Sequence, residues 1–171
     1  MTNSPIEVSL AIIYEPHSIQ TNPLFLMQLR DDIPGIVYPG HWGLFGGHLE
    51  PGETAEQAFT REVQEEINYL PEKYFFFRCY PCDEVIRHVY CTPLTVTREK
   101  LVLQEGWDMD WLTLDKINQG YAYSHQAQQT KPLVAAQRQI LLDFASSVSS
   151  ETNEPLDSES TPRLKLKESN K

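Results

Sequence analysis

Gly46-Gly47-His48-Leu49-Glu50-Pro51-Gly52-Glu53-Thr54 runs directly into Ala55-Glu56-Gln57-Ala58-Phe59-Thr60-Arg61-Glu62-Val63-Gln64-Glu65-Glu66-Ile67-Asn68. The first part is a glycine-rich turn and the second has the period of a helix. At 3.6 residues per turn, Phe59, Val63 and Ile67 form one bulky apolar stripe, while Gln57 and Gln64 fall on the far side. Thr54 is placed to cap the first turn with its hydroxyl. Asn68, ahead of Pro71, is placed to close the last turn in a left-handed conformation.

Glu62, Glu65 and Glu66 fall within an arc of about 100° beside the apolar stripe. Three carboxylates one turn apart repel one another, so folding gains nothing from the arrangement. A solvated acidic face is the ordinary explanation of such a run. The glycine turn in front of it favours another: Gly46-Gly47 lets the backbone come close to a ligand and frees a carbonyl for a metal. Hard oxygen donors of this kind suit Mg²⁺ or Mn²⁺, which also bind phosphates. Arg61, eight residues after Glu53, can return to it with a bidentate contact.

Gly47, five residues, Glu53, seven residues, then Arg61-Glu62-Val63-Gln64-Glu65-Glu66-Ile67-Asn68-Tyr69 resembles the box of the Nudix (MutT-like) hydrolase family. Asn68 stands where that pattern has Gly, and Asn is the best substitute for a left-handed helix end. The resemblance implies an α/β (α+β) fold, an α/β/α sandwich with a mixed central β-sheet. It implies a metal site of Glu62, Glu66 and the Gly47 carbonyl, with Glu65 as a further ligand or the group that orients water. Glu62, Glu65 and Glu66 would be the catalytic set, and Glu53 with Arg61 the structural pair. The implied activity is a pyrophosphohydrolase acting on phosphoric anhydrides. It would cleave the diphosphate bond of a nucleoside diphosphate linked to another moiety, with Mg²⁺ as cofactor and Mn²⁺ as substitute. Glu65, Glu105 and His125 are candidates for the general base, in that order. A nucleotide-sensing module without turnover is the alternative; an isoprenyl diphosphate isomerase using Cys79 or Cys82 is less economical with the box complete. A homodimer would be in keeping with the relatives.

Outward from the box, Glu7 to Tyr14 and Leu24 to Arg30 read as strands, Asp31 to Gly40 as a loop, and Trp42 to Phe45 as a short strand. Arg30 is a candidate phosphate contact, Tyr38 and Trp42 flank the entrance to the box as candidate base contacts, and Glu105 is grouped with them. For Trp42 a place in the core is the stronger reading. Tyr74 to Tyr80 and Val85 to Thr92 around Asp83-Glu84 read as a hairpin. Cys79, Cys82, His88 and Cys91 can be written as a zinc site, but three thiols in a hairpin are more simply small buried side chains. Lys100 to Leu103 and Met109 to Leu112 read as extended pieces, and Thr113 to Asn118 as a helical turn. Lys131 to Ala145 is the second helix, capped by Thr130 with Pro132 in its first turn.

These elements make one domain over residues 1–145. Residues 146–171 are nearly all Ser, Glu, Thr, Pro, Asn and Lys and read as a disordered tail. With 24 acidic and 14 basic residues the net charge is −10, which argues against a nucleic-acid or anionic membrane surface. A nucleotide-derived small-molecule substrate then needs a bridging cation. The N-terminus has no signal-peptide pattern, no apolar run spans a membrane, and three cysteines fit a reducing cytoplasm.

Overall fold

The computed structural model describes residues 4–151 and 167–168. Its hub is β1 (Ile6–Tyr14), buried from Ser9 to Ile13. A strand covered on both faces needs a continuous apolar run rather than alternation, and Leu10-Ala11-Ile12-Ile13 supplies it. One edge of β1 pairs antiparallel with β2 (Leu24–Leu29) and, beyond it, with β4 (Phe45–His48). The other edge pairs parallel with β6 (Val85–Pro93), from Ile6↔Val85 to Tyr14↔Pro93. The sheet extends through β5 (Lys73–Pro81) on one side and through β3 (Trp42–Gly43) and β7 (Asp108–Thr113) on the other.

Strand alternation divides the core between the two faces of this mixed sheet. Leu10, Ile12, Phe25, Met27, Val89 and Cys91 meet Ile140, Leu141 and Phe144 of α3 (Ala135–Glu151). On the other face Ala11, Ile13, Leu26 and Tyr90 meet Phe59, Val63 and Ile67 of α1 (Ala55–Ile67). The expected α/β/α sandwich results. A short α2 (Leu114–Gln119) and the small β8 (Tyr121–Ser124)–β9 (Gln129–Pro132) hairpin finish the domain. Among the described residues no helix is long and apolar enough to cross a membrane.

Several expectations need correction. The single strand at Trp42 to Phe45 is two, because the amide of Leu44 donates to Gln137 Oε1 (2.6 Å) instead of to a strand. Lys100 to Leu103 is not extended pairing: Arg98–Lys100 is a turn of 3₁₀-helix, after which Val102 and Gln104 donate to the last carbonyls of α1, Ile67 and Glu66. The second helix starts at Ala135, not Lys131. Thr130 to Pro132 pair with β8, and the amides of Leu133 and Val134 go to the carbonyls of Gly120 and Trp42.

That helix also passes Ala145 and runs to Glu151. The hydroxyls of Ser146, Ser147, Ser149 and Ser150 donate to carbonyls three or four residues back, so serines that usually favour turns are satisfied within the helix. A two-residue β10 (Lys167–Glu168) pairs with β5, and the rest of the expected tail lies outside the described residues. Cys91 is buried in the core while Cys79 and Cys82 are exposed on the hairpin. His88 is hydrogen-bonded to Glu7 at 2.8 Å, so these four residues do not converge.

Candidate active site

The carboxylates are placed by a helix whose two ends are pinned. Thr54 Oγ1 accepts from Gln57 N (3.2 Å) and Gln57 Oε1 accepts from Thr54 N (2.9 Å), a reciprocal cap. At the other end Asn68 adopts φ 52°, ψ 41° and donates its N–H to Gln64 O. This left-handed cap ends the helix ahead of β5, and the amides of Val102 and Gln104 later bond the carbonyls of Ile67 and Glu66 at the end of α1.

Glu66 is 4% exposed. Gln28 Nε2 donates to its Oε1 and Gly46 N to its Oε2, each at 2.8 Å. Burial pushes its pKa up to about 7, opposed by those two donors and reinforced by the charges of Glu62 and Glu105. Gly46 can make its contact because it sits at φ +127°, where a Cβ would fall 2.1 Å from Ser9 O. Glu62 is also raised, by burial first and partly offset by Arg61. A Cβ on Gly47 would lie 2.5 Å from Glu62 Oε1, so the missing side chain of Gly47 is what admits that carboxylate.

Arg61 ties the turn to the helix. Nε and Nη2 reach the two oxygens of Glu53 at 2.8 and 2.9 Å, and Nη2 also reaches His48 O. Nη1 bridges Glu62 (2.8 Å) and Glu65 (3.1 Å). The bidentate guanidinium holds Glu53 down to about pKa 2. Glu53 and Arg61 thus form the expected pair.

Glu66 forms part of a pocket of about 100 Å³ with Gln28, Arg30, Asp31, Ile36, Glu105 and Gly106. A larger open groove of about 1090 Å³ follows the outer face of α1 past Glu53, Gln57, Arg61, Gln64 and Glu65. The smaller pocket is the better centre for chemistry, because it holds the buried, perturbed carboxylate.

The donors fit a hard divalent cation in kind: carboxylates that raise one another's pKa, beside a glycine that a Cβ would close. Arg61 hydrogen-bonds both Glu62 and Glu65, and among the described residues no group of three His, Cys, Asp or Glu side chains is placed to hold a metal ion.

The structure gathers Arg30 and Glu105 with Glu66, while Glu65 is 56% exposed and lines the outer groove. Trp42 has to be withdrawn as a base contact. It is fully buried, and its indole Nε1 donates to Ala122 O. Tyr38 is exposed, at φ 54°, with its ring 6.1 Å from that of His41, and it lies outside the pocket lining. His125 is exposed against Tyr123, also outside that lining. Gln28 was missed. Its signal was present, a lone polar residue in the apolar run Leu24–Leu29, 2% exposed in the fold.

A family model described as NUDIX domain matches residues 7–142. The nucleoside triphosphatase NudI of Enterobacter sp. (strain 638) is 32% identical over 115 residues, 58% of this chain and 80% of that protein. The MutT protein of Methanosarcina mazei Go1 superposes with a TM-score of 0.60 at 22% identity, covering 90% of this chain and 100% of that one. The NUDIX domain of Shewanella oneidensis NrtR, solved with ADP-ribose, gives a TM-score of 0.64 at 17% identity, with coverages of 85% and 90%.

Proposed function

The chain belongs to the NUDIX family of pyrophosphohydrolases, and from that premise we propose that it hydrolyses, with Mg²⁺, the diphosphate bond of a nucleoside diphosphate joined to another group. Glu66 carries this reading: a buried carboxylate fixed by two donors, in a pocket shared with Arg30 and Glu105. The free thiols of Cys79 and Cys82 favour action in the cytoplasm.

Glu62, Glu66 and the Gly47 carbonyl would hold the cation, with Glu65 joining them only on leaving Arg61. When bound, Mg²⁺ neutralises phosphate oxygens and lowers the pKa of water. The chain's own residues do the rest. Arg30, whose Nε is anchored on Val37 O at 2.7 Å, meets a phosphate at the pocket rim. Glu105 accepts the proton of the attacking water; it shares the pocket with Glu66 and its charge is felt by both Glu62 and Glu66. Glu65, bonded to Arg61, serves the loop and helix rather than the proton. Water adds to one phosphorus, the bridging oxygen leaves with the other, and two phosphate monoesters result.

The test is Mg²⁺-dependent turnover of ADP-ribose, GDP-mannose, UDP-glucose, diadenosine polyphosphates and 8-oxo-dGTP, with Glu66→Gln beside the wild type. Turnover of one compound, reduced at least about a hundredfold in the variant (~2.7 kcal/mol), is expected. Binding of a compound with turnover of none would replace hydrolysis with nucleotide sensing.

A further inference from the structure

The pocket around Glu66, at about 100 Å³, has room for phosphate. Sites that enclose a whole ligand of nucleotide size run to roughly 300–1,000 Å³, so a nucleobase must rest on the rim. The outer groove offers it no ring. Tyr74, the aromatic residue there, packs against Phe59 at 5.1 Å and donates its hydroxyl to Glu56.

Three tryptophans are present. Trp42 is buried in one core cluster and Trp111 packs on the other, but Trp107 belongs to neither and is 38% exposed. It follows Gly106, which lines the pocket. Gly106 has φ +99°, and a Cβ there would meet Leu29 O at 3.0 Å. Trp107 N donates to that same Leu29 O at 2.7 Å, fixing where the indole leaves the chain. Lys131 Nζ stands 5.2 Å from the centroid of the Trp107 ring and 3.1 Å from Asp32 Oδ2. Asp32 in turn follows Asp31 of the pocket lining. The indole follows a pocket-lining residue in the chain without lining the pocket itself, and it is held from its own backbone and through a cation on its ring.

On the hydrolase reading above, we propose that Trp107 is the platform on which the substrate's nucleobase stacks while the diphosphate occupies the Glu66 pocket, with Lys131 holding the ring in place. Stacking needs a fixed aromatic surface in contact with solvent, and a cation–π contact supplies the fixing without covering the ring completely.

The test combines tryptophan emission with kinetics in wild type, Trp107→Phe and Trp107→Ala. AMP, GMP and UMP are titrated, with inorganic pyrophosphate as the probe lacking a base. The nucleotides are expected to quench wild-type emission, pyrophosphate to leave it unchanged, and Trp107→Phe to lose the quench. With the substrate from the panel, Trp107→Ala should raise KM about tenfold, the scale of one lost base stack. In Trp107→Phe, where a ring remains, KM should stay within about threefold, and kcat should be little changed in both. A quench unchanged in Trp107→Phe, or an unchanged KM in Trp107→Ala, overturns the platform and leaves hydrolysis standing. A quench lost in Trp107→Phe, in a protein that turns over nothing, keeps the platform and removes hydrolysis.

Discussion

Gly47→Ala should damage the chemistry while leaving the fold nearly intact. The backbone at Gly47 is not among the left-handed positions, so alanine brings no conformational strain there. Its Cβ would fall 2.5 Å from Glu62 Oε1 and 2.7 Å from Cδ. Ordinary contact begins near 3.4 Å, so the carboxylate must retreat by about 0.9 Å, a distance at which misplaced reacting groups commonly cost ~100-fold. Glu62 has the end of a flexible side chain to move, and it can do so at little cost to packing. Stability should fall by under about 1 kcal/mol, or ~2–4 °C in Tm for a domain of this size. The assay is a thermal melt beside kcat/KM for the best compound of the panel, on one preparation. Turnover within about threefold of wild type would refute the placement of Glu62 beside Gly47. A Tm loss above about 8 °C, twice the upper bound, would show that the methyl disturbs the sheet instead.

Gly46→Ala is the contrasting neighbour: a Cβ 2.1 Å from a main-chain carbonyl at φ +127° cannot be relieved by a side chain. It should cost more than about 3 kcal/mol and show as a large Tm loss or failure to accumulate soluble protein. Glu53→Gln should change the acid limb of stability. The folded pKa of Glu53 is lowered from 4.5 to about 2, so its contribution is complete above the unfolded pKa and disappears as pH falls through that window. Urea melts between those two pH values should therefore fall less steeply in the variant than in wild type; parallel curves would contradict the pairing.

What was legible in the sequence was local. The cap at Thr54, the left-handed Asn68 and the Glu53–Arg61 return depend on short spacings that a helix converts directly into contact. The hairpin of β5 and β6 is read the same way. Gln28 was visible as an oddity, but its purpose depends on β2 lying beside the end of α1, which no local pattern encodes. Trp42 was ambiguous because burial is a property of what comes 80 residues later, the Ala122 carbonyl that accepts its N–H. The start of α3 lies later than its capping pattern suggests because Lys131 and Pro132 are taken by the hairpin with β8 and the Val134 amide by the distant Trp42 carbonyl. Its end was missed because polarity was read as disorder, whereas serine hydroxyls can be absorbed by carbonyls of their own helix.

The parallel pairing of β1 with β6 has a consequence for how the molecule is made. Ile6 waits for Val85, a partner 79 positions later. At about 5–20 residues per second of synthesis, the central strand of the sheet keeps an unpaired edge for several seconds on the ribosome. During that interval β2 and β4 can already pair with the opposite edge and α1 can cover one face, bringing Gln28, Gly46 and Glu66 together before Glu105 and Trp107 exist. A nascent chain at that stage has the residues to seat the Glu66 carboxylate while one edge of its central strand still lacks its partner. Protection from aggregation is needed most in the time it takes to translate the hairpin.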